Sequence, residues 1–234
     1  MMLQAGYILL ALALVIVIYL ATAKVSFKAF TDPSQQKRFI RKAALSLICW
    51  VVYISAISVT GIFENSSLPP RIPLLLVLPA FVFFIYFFTN KDFKPVIDNT
   101  PHSWPVYFQS FRVLVELLIY WAFLKGILPV SATFDGYNFD IVIGLTAPLI
   151  AYLTFARGKV SKPLFILWNV AGLSTLLIVV SILMRHAYFV ENERLSILHG
   201  GLGSFPYTFL AGLFMPLAVF MHIFSLVKTK HTSA

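Results

Sequence analysis

Long apolar stretches recur along this sequence, and they constrain its fold more than any other feature. A helix that crosses the hydrocarbon core of a bilayer needs about 20 predominantly apolar residues. Seven stretches approach or reach that length, at about 5–23, 43–63, 72–89, 106–128, 139–156, 163–184 and 206–227. Only 12% of the 234 residues are charged, against about a quarter in a soluble domain. The sequence therefore predicts an all-α integral membrane protein, a seven-transmembrane-helix bundle that forms one transmembrane domain over residues 1–234.

Positive charges lie mostly in the connections on one side of these spans. Thirteen of the 18 Lys and Arg residues fall in 24–42, 91–94, 157–162 and 228–230. Loops rich in Lys and Arg stay in the cytoplasm, which predicts an outside N-terminus and a cytoplasmic C-terminus. The first span has no charge before it and a basic cluster after it, so it is expected to be an uncleaved helix. A plasma or bacterial inner membrane fits this pattern, with membrane lipids rather than nucleic acid as the partner of the basic loops.

A polar stripe inside the fourth span is the strongest functional signal in the sequence. Gln109, Arg112, Glu116 and Tyr120 follow at spacings of three or four residues, which places them on one helical face. A charge at the bilayer centre costs about 2.5–3.5 kcal/mol, whereas an i,i+4 pair stabilises a helix by only a few tenths. The stripe is therefore expected to face other helices or water, and its Arg112–Glu116 pair to be a site or a buried ion pair.

Polar residues in other spans are candidates to complete that site. They are Trp50 and Tyr53 in span two, Tyr152 in span five, Asn169 in span six and His222 in span seven. Their similar depth predicts one cavity in the cytoplasmic half of the bundle, with Glu116 at its floor. Each side chain also has a simpler interpretation, as a packing or hydrogen-bonding residue between helices.

A second polar group is expected at the outer mouth of span five. It consists of Asp135, Asn138 and Asp140 in the segment "FDGYNFD". Asn138 or Asp140 would cap the helix that follows, or the group would bind a cation.

Three prolines fall inside predicted spans: Pro79, Pro148 and Pro216. Proline cannot donate to the carbonyl one turn earlier, so each should kink its helix. Inside a bilayer the freed carbonyl needs a partner from a neighbouring helix. The longest connection, 185–205, is predicted to lie outside, as an ordinary loop or a lid, with "ENERLSIL" as a short surface helix.

Motifs of several membrane chemistries are missing from the sequence. The last span has no lysine before Lys228 for a retinal Schiff base, and His222 is the sole intramembrane histidine where haem needs a pair. Neither GxSxG nor HExxH occurs. No cofactor and no metal ion are expected, and an enzyme is disfavoured.

The leading prediction is a small-molecule transporter or a ligand-binding membrane protein. Arg112 would hold a small polar or anionic ligand, and Glu116 would be its counter-charge or a proton carrier. One alternative is a structural or assembly subunit, in an oligomer or with a partner protein, whose buried Arg112–Glu116 pair determines helix packing. Another is an intramembrane lipid-modifying enzyme that uses Glu116 and His222.

Overall fold

The structure is a computed structural model that describes residues 1–190 and 197–231. Its α-helices over these residues are α1 (Met2–Ala29), α2 (Pro33–Ser58), α3 (Leu78–Thr89), α4 (Lys94–Asn99), α5 (Trp104–Phe108), α6 (Phe111–Leu124), α7 (Asp140–Ala151), α8 (Lys162–Tyr188) and α9 (Met215–His231). Wider π-helical turns occur at Pro73–Val77, Tyr152–Ala156, Leu198–Leu202 and Leu210–Phe214, and 3-10 turns at Ile62–Glu64, Lys91–Phe93 and Val130–Ala132. Most of the predicted "ENERLSIL" helix falls at 191–196, outside the described residues.

Within residues 1–190 and 197–231, five helical segments are long and apolar enough to cross a membrane. They are Met2–Ala29, Pro33–Ser58, Trp104–Leu124, Lys162–Tyr188 and Leu210–Thr229. The third predicted span is Pro73–Thr89, which meets Lys91–Asn99 at a bend of 73° and could cross as one broken span with it. The fifth is a shorter apolar helix, Asp140–Ala156. The chain is thus a multi-pass, all-α membrane protein, and the count of seven crossings stays a prediction.

The connections that carry most of the positive charge meet at one end of the bundle. Phe39 at the start of α2 packs against Phe93, with ring centroids 6.2 Å apart. The buried Lys228 ammonium donates to the carbonyl of Thr100 at 2.6 Å. Partial burial, and secondarily the charge of Lys228, lower the pKa of the nearby His102. We call this the basic end.

The other connections meet at the opposite end. Tyr7, near the start of α1, packs edge-on against Tyr207 at 5.1 Å. The Glu64 carboxylate accepts a hydrogen bond from the Ser204 hydroxyl at 2.6 Å and pairs with Nδ1 of His199 at 2.6 Å. These contacts join the loop after α2 to the loop before α9.

The predicted break at Pro79 has a hydrogen-bonding partner on α2. The helix widens into the π-helical turn Pro73–Val77 just before this proline. The carbonyl of Leu75, four residues before Pro79, accepts a hydrogen bond from the Tyr53 hydroxyl at 2.9 Å. Tyr53 therefore satisfies a carbonyl that the proline cannot.

The break at Pro216 is built in the same way. The π-helical turn Leu210–Phe214 precedes this proline, and the Trp50 indole N–H donates to the Gly212 carbonyl at 2.9 Å. The Trp50 and Tyr53 rings stack with centroids 5.4 Å apart. Neighbouring side chains of α2 therefore donate hydrogen bonds to the backbone at both breaks. Both residues, predicted as site residues, bind backbone carbonyls rather than the polar centre around Arg112.

Tyr53→Phe should lower the stability of the purified protein, because it leaves the Leu75 carbonyl without its donor. We expect a loss of about 1–3 kcal/mol, the usual cost of an unsatisfied buried group, measured by thermal unfolding in detergent. Tyr86→Phe is the matched control, since Tyr86 is exposed. Equal melting temperatures for the two variants would show that the Leu75 carbonyl does not depend on Tyr53.

Candidate functional site

Arg112 lies near the middle of the apolar segment Trp104–Leu124, and its side chain is 1% exposed. Its guanidinium donates two hydrogen bonds to the Asp140 carboxylate, from Nε to Oδ2 at 2.7 Å and from Nη2 to Oδ1. This two-pronged geometry matches the planar fork of arginine and is the strong form of such a pair. The predicted pairing of Arg112 with Glu116 is therefore wrong. The counter-charge comes from α7, whose carboxylate approaches the guanidinium edge-on from a facing helix.

Asp140 lies beside the buried Arg112 because the connection before α7 folds back into the bundle. Asn138 and Thr133 are fully buried, and Asp140 is 4% exposed. At Gly136 a Cβ would overlap the carbonyl oxygen of Val130, so the tight fold-back requires glycine. The prediction that Asn138 and Asp140 lie at an outer mouth is wrong for this reason. Of the three residues only Asp135 is exposed.

Helix α8 adds two further partners of the ion pair. The Thr175 hydroxyl donates to Oδ1 of Asp140 at 2.7 Å. Nη2 of Arg112 also lies 3.0 Å from Oγ1 of Thr175 and 3.1 Å from the carbonyl oxygen of Gly172. Sequence reasoning missed Thr175. The spacing of Asn169, Gly172 and Thr175 by threes, on one face of a helix, is the signal that could have found it.

Two of the predicted site residues, His222 and Asn169, are linked to Arg112 by hydrogen bonds, and their role in binding a ligand stays a prediction. Nη1 of Arg112 donates to Nε2 of His222 at 2.7 Å, so that ring nitrogen carries no proton. Nδ1 then carries the proton and donates to Oδ1 of Asn169 at 3.0 Å. The Asn169 amide nitrogen in turn donates to the carbonyl of Phe165 at 2.9 Å. The histidine is thus neutral, with its tautomer determined by its neighbours.

Glu116 has a different hydrogen-bonding partner and is 1% exposed. Both carboxylate oxygens accept from the amide nitrogen of Asn138, at 2.9 and 2.8 Å. That nitrogen also donates to the carbonyl of Ala132 at 3.0 Å. None of the ion pairs formed within residues 1–190 and 197–231 includes Glu116. The centre therefore holds two carboxylates and one guanidinium, and Asp140 takes the guanidinium.

The other predicted site residues lie at three separate places. Gln109 is fully buried and donates to the Ala218 carbonyl at 3.0 Å, while its Oε1 has no partner within the described part of the chain. Tyr120 stacks on Phe134 at 4.6 Å, towards the opposite end. Tyr152 is exposed, and its hydroxyl accepts from Nε of Arg157 at 2.7 Å, at the basic end.

A cavity of about 340 Å³ begins at Glu116 and extends towards the opposite end. Its floor is next to Arg112, Glu116 and Asp140, which are 1%, 1% and 4% exposed, and its walls are apolar side chains such as Ile119, Leu176 and Phe214. The cavity was predicted in the half nearer the basic loops, where Gln109, Asn169 and His222 have no exposed surface. None of these three residues lines the cavity described above.

The exposure of the lining residues differs from one wall to another. Pro73 and Val77 in the turn before α3 and Leu183 and Met184 on α8 are half-buried. Ile119 and Phe214 are closed off, at 2% and 1% exposure.

Comparison of this chain with protein-family models, with curated proteins and with solved structures finds no match. The geometry of the site is therefore the basis for assigning a function.

Proposed function

We propose that this chain binds a small amphipathic molecule that enters from the lipid, and that it acts as a transporter or ligand-binding membrane protein. The observation that carries the proposal is the cavity of about 340 Å³, with apolar walls and a buried carboxylate at its floor. Small-molecule sites occupy about 300–1,000 Å³ and combine apolar walls with a few polar groups. Packed protein interiors leave few voids larger than a water molecule, so this cavity is best explained by an occupant.

The shape of the cavity supports a ligand with an apolar body. An opening between α8 and the turn before α3, where the lining residues are half-buried, would admit a molecule that is already dissolved in the bilayer. With seven crossings and a cytoplasmic basic end, as the Lys and Arg distribution favours, the cavity would open into the outer half of the membrane.

A structural or assembly subunit is the second candidate, and a different observation favours it. Only 6% of the most apolar stretch of α2 is buried, against 56% for the last helix. That leaves α2 free to pack against lipid or another copy. An enzyme that uses Glu116 and His222 gains no support, because Arg112 and Asn169 occupy both ring nitrogens of the histidine.

Filling the cavity tests the leading proposal. A diazirine-bearing octanol should label peptides 176–188 and 210–218 of the purified wild type saturably, as mapped by mass spectrometry. Val180→Phe places a phenyl ring in the cavity and should reduce that labelling severalfold, because the occupant loses its space.

Val170→Phe is the matched control, with the same substitution on an exposed face of α8. It should label like the wild type. Saturable labelling of the same peptides that persists unchanged in Val180→Phe would contradict the proposal.

A further inference from the structure

We infer that the ligand of this cavity carries a protonated amine, and that Glu116 binds it. The inference deepens the proposed function and rests on it. The ammonium group would lie at the floor of the cavity, and an apolar tail would extend along α8 towards the opposite end.

Charge balance at the floor is the first support. Arg112 and Asp140 neutralise each other through a two-pronged ion pair that Thr175 completes. His222 is neutral, since it accepts from Arg112 and donates to Asn169. Glu116 forms no ion pair within the described residues, because the guanidinium of Arg112 binds Asp140. An ionised carboxylate in an apolar interior is costly unless an opposite charge lies beside it, and a cationic occupant would supply that charge.

The hydrogen bonds of Glu116 are the second support. An ionised carboxylate offers about four lone-pair sites, yet Glu116 receives one shared N–H, from Asn138. Glu116 belongs to the cavity lining, and a primary ammonium group bound beside it would have three N–H bonds to donate.

The state of Arg112 argues against an anionic ligand. Nε, Nη1 and Nη2 all donate to side chains or carbonyls of α7, α8 and α9. An anion would have to displace Asp140 from the guanidinium while lying beside the unpaired Glu116. Both effects oppose its binding, so the charges at the floor favour a cation.

The proposal is tested by competition against the diazirine-bearing octanol, with three probes of equal chain length. These are octylamine, 1-octanol and octanoate, at neutral pH in detergent solution. In the wild type, octylamine should displace the label at a concentration about tenfold lower than 1-octanol, as expected for a hydrogen bond to a charged group. Octanoate should be the weakest competitor.

Glu116→Gln should abolish the preference for the amine, bringing octylamine and 1-octanol to similar potency. Glu64→Gln is the matched control, because Glu64 lies in the loop at the opposite end and outside the cavity lining. It should keep the wild-type order. If Glu116→Gln does not fold, Glu116→Asp keeps the charge and should keep the preference.

Each result separates this inference from the proposed function. Equal potency of octylamine and 1-octanol in the wild type would overturn the cationic ligand and leave the cavity as a binding site. Stronger competition by octanoate would overturn it in favour of an anion. Failure of all three to displace the label would overturn both proposals.

Discussion

Arg112→Gln should lower the melting temperature of the detergent-solubilised protein by about 10 °C. The substitution leaves Asp140, which is 4% exposed, without its counter-charge. Removing one partner of a buried ion pair costs about 3–5 kcal/mol, because the remaining charge is stranded. It also removes the donor to Nε2 of His222. Thermal unfolding followed by intrinsic fluorescence is the direct measurement.

The pairing with Asp140 makes this prediction specific. The double variant Arg112→Gln/Asp140→Asn removes both charges and should recover much of the lost stability, giving a coupling free energy of opposite sign to the single losses. Arg185→Gln changes an exposed arginine of α8 and should leave the melting temperature nearly unchanged. If the double variant were as unstable as the sum of the single variants, the ion pair would not be the source of the loss.

Gly172→Ala is the second substitution with a large expected effect. Alanine in place of glycine within a helix normally stabilises by about 0.5–1 kcal/mol. At Gly172, however, a Cβ would overlap the Nε2 and Cε1 atoms of His222 and would lie 3.2 Å from Nη1 of Arg112. The ring cannot move aside without breaking its bonds to Arg112 and Asn169. We expect a net loss of about 2–4 kcal/mol, from overpacking together with broken hydrogen bonds.

Whether Gly172→Ala lowers or raises the stability is also tested in a protein that already carries His222→Ala. In His222→Ala the space beside Gly172 is vacant, so adding Gly172→Ala should cost little or should stabilise the helix. Ser174→Ala, at an exposed position of α8, controls for the effect of alanine itself. A Gly172→Ala protein with wild-type stability would mean that α8 and α9 do not approach as closely as described.

The network around Arg112 and the proposed ligand-binding residue Glu116 depend on each other. The ion pair holds the start of α7 inside the bundle, and Asn138 lies two residues before Asp140. Its carboxamide oxygen accepts from the backbone N–H of Asp140 at 3.0 Å, and its amide nitrogen donates to Glu116. Arg112 therefore positions the one side chain that orients Glu116. The packing interpretation suits Arg112, and the ligand-binding interpretation suits Glu116.

Local sequence patterns determined most of the helical architecture. Apolar length alone predicted the multi-pass membrane protein, because a bilayer demands about 20 apolar residues per crossing. The prolines predicted the breaks near Pro79 and Pro216, since a missing N–H is a property of the residue itself. The polar stripe of span four also predicted that Arg112 and Glu116 would avoid the lipid, and both are buried among helices.

Tertiary structure decided which polar groups meet. Arg112 pairs with Asp140, 28 residues away, because the connection before α7 folds back into the bundle. Helical periodicity cannot foresee this fold-back, since it describes neighbours on one helix and not the path of a loop between two. Likewise the spacing that placed Arg112 and Glu116 on one face made them look like partners. The facing helices supply a carboxylate to Arg112 and leave Glu116 beside a cavity.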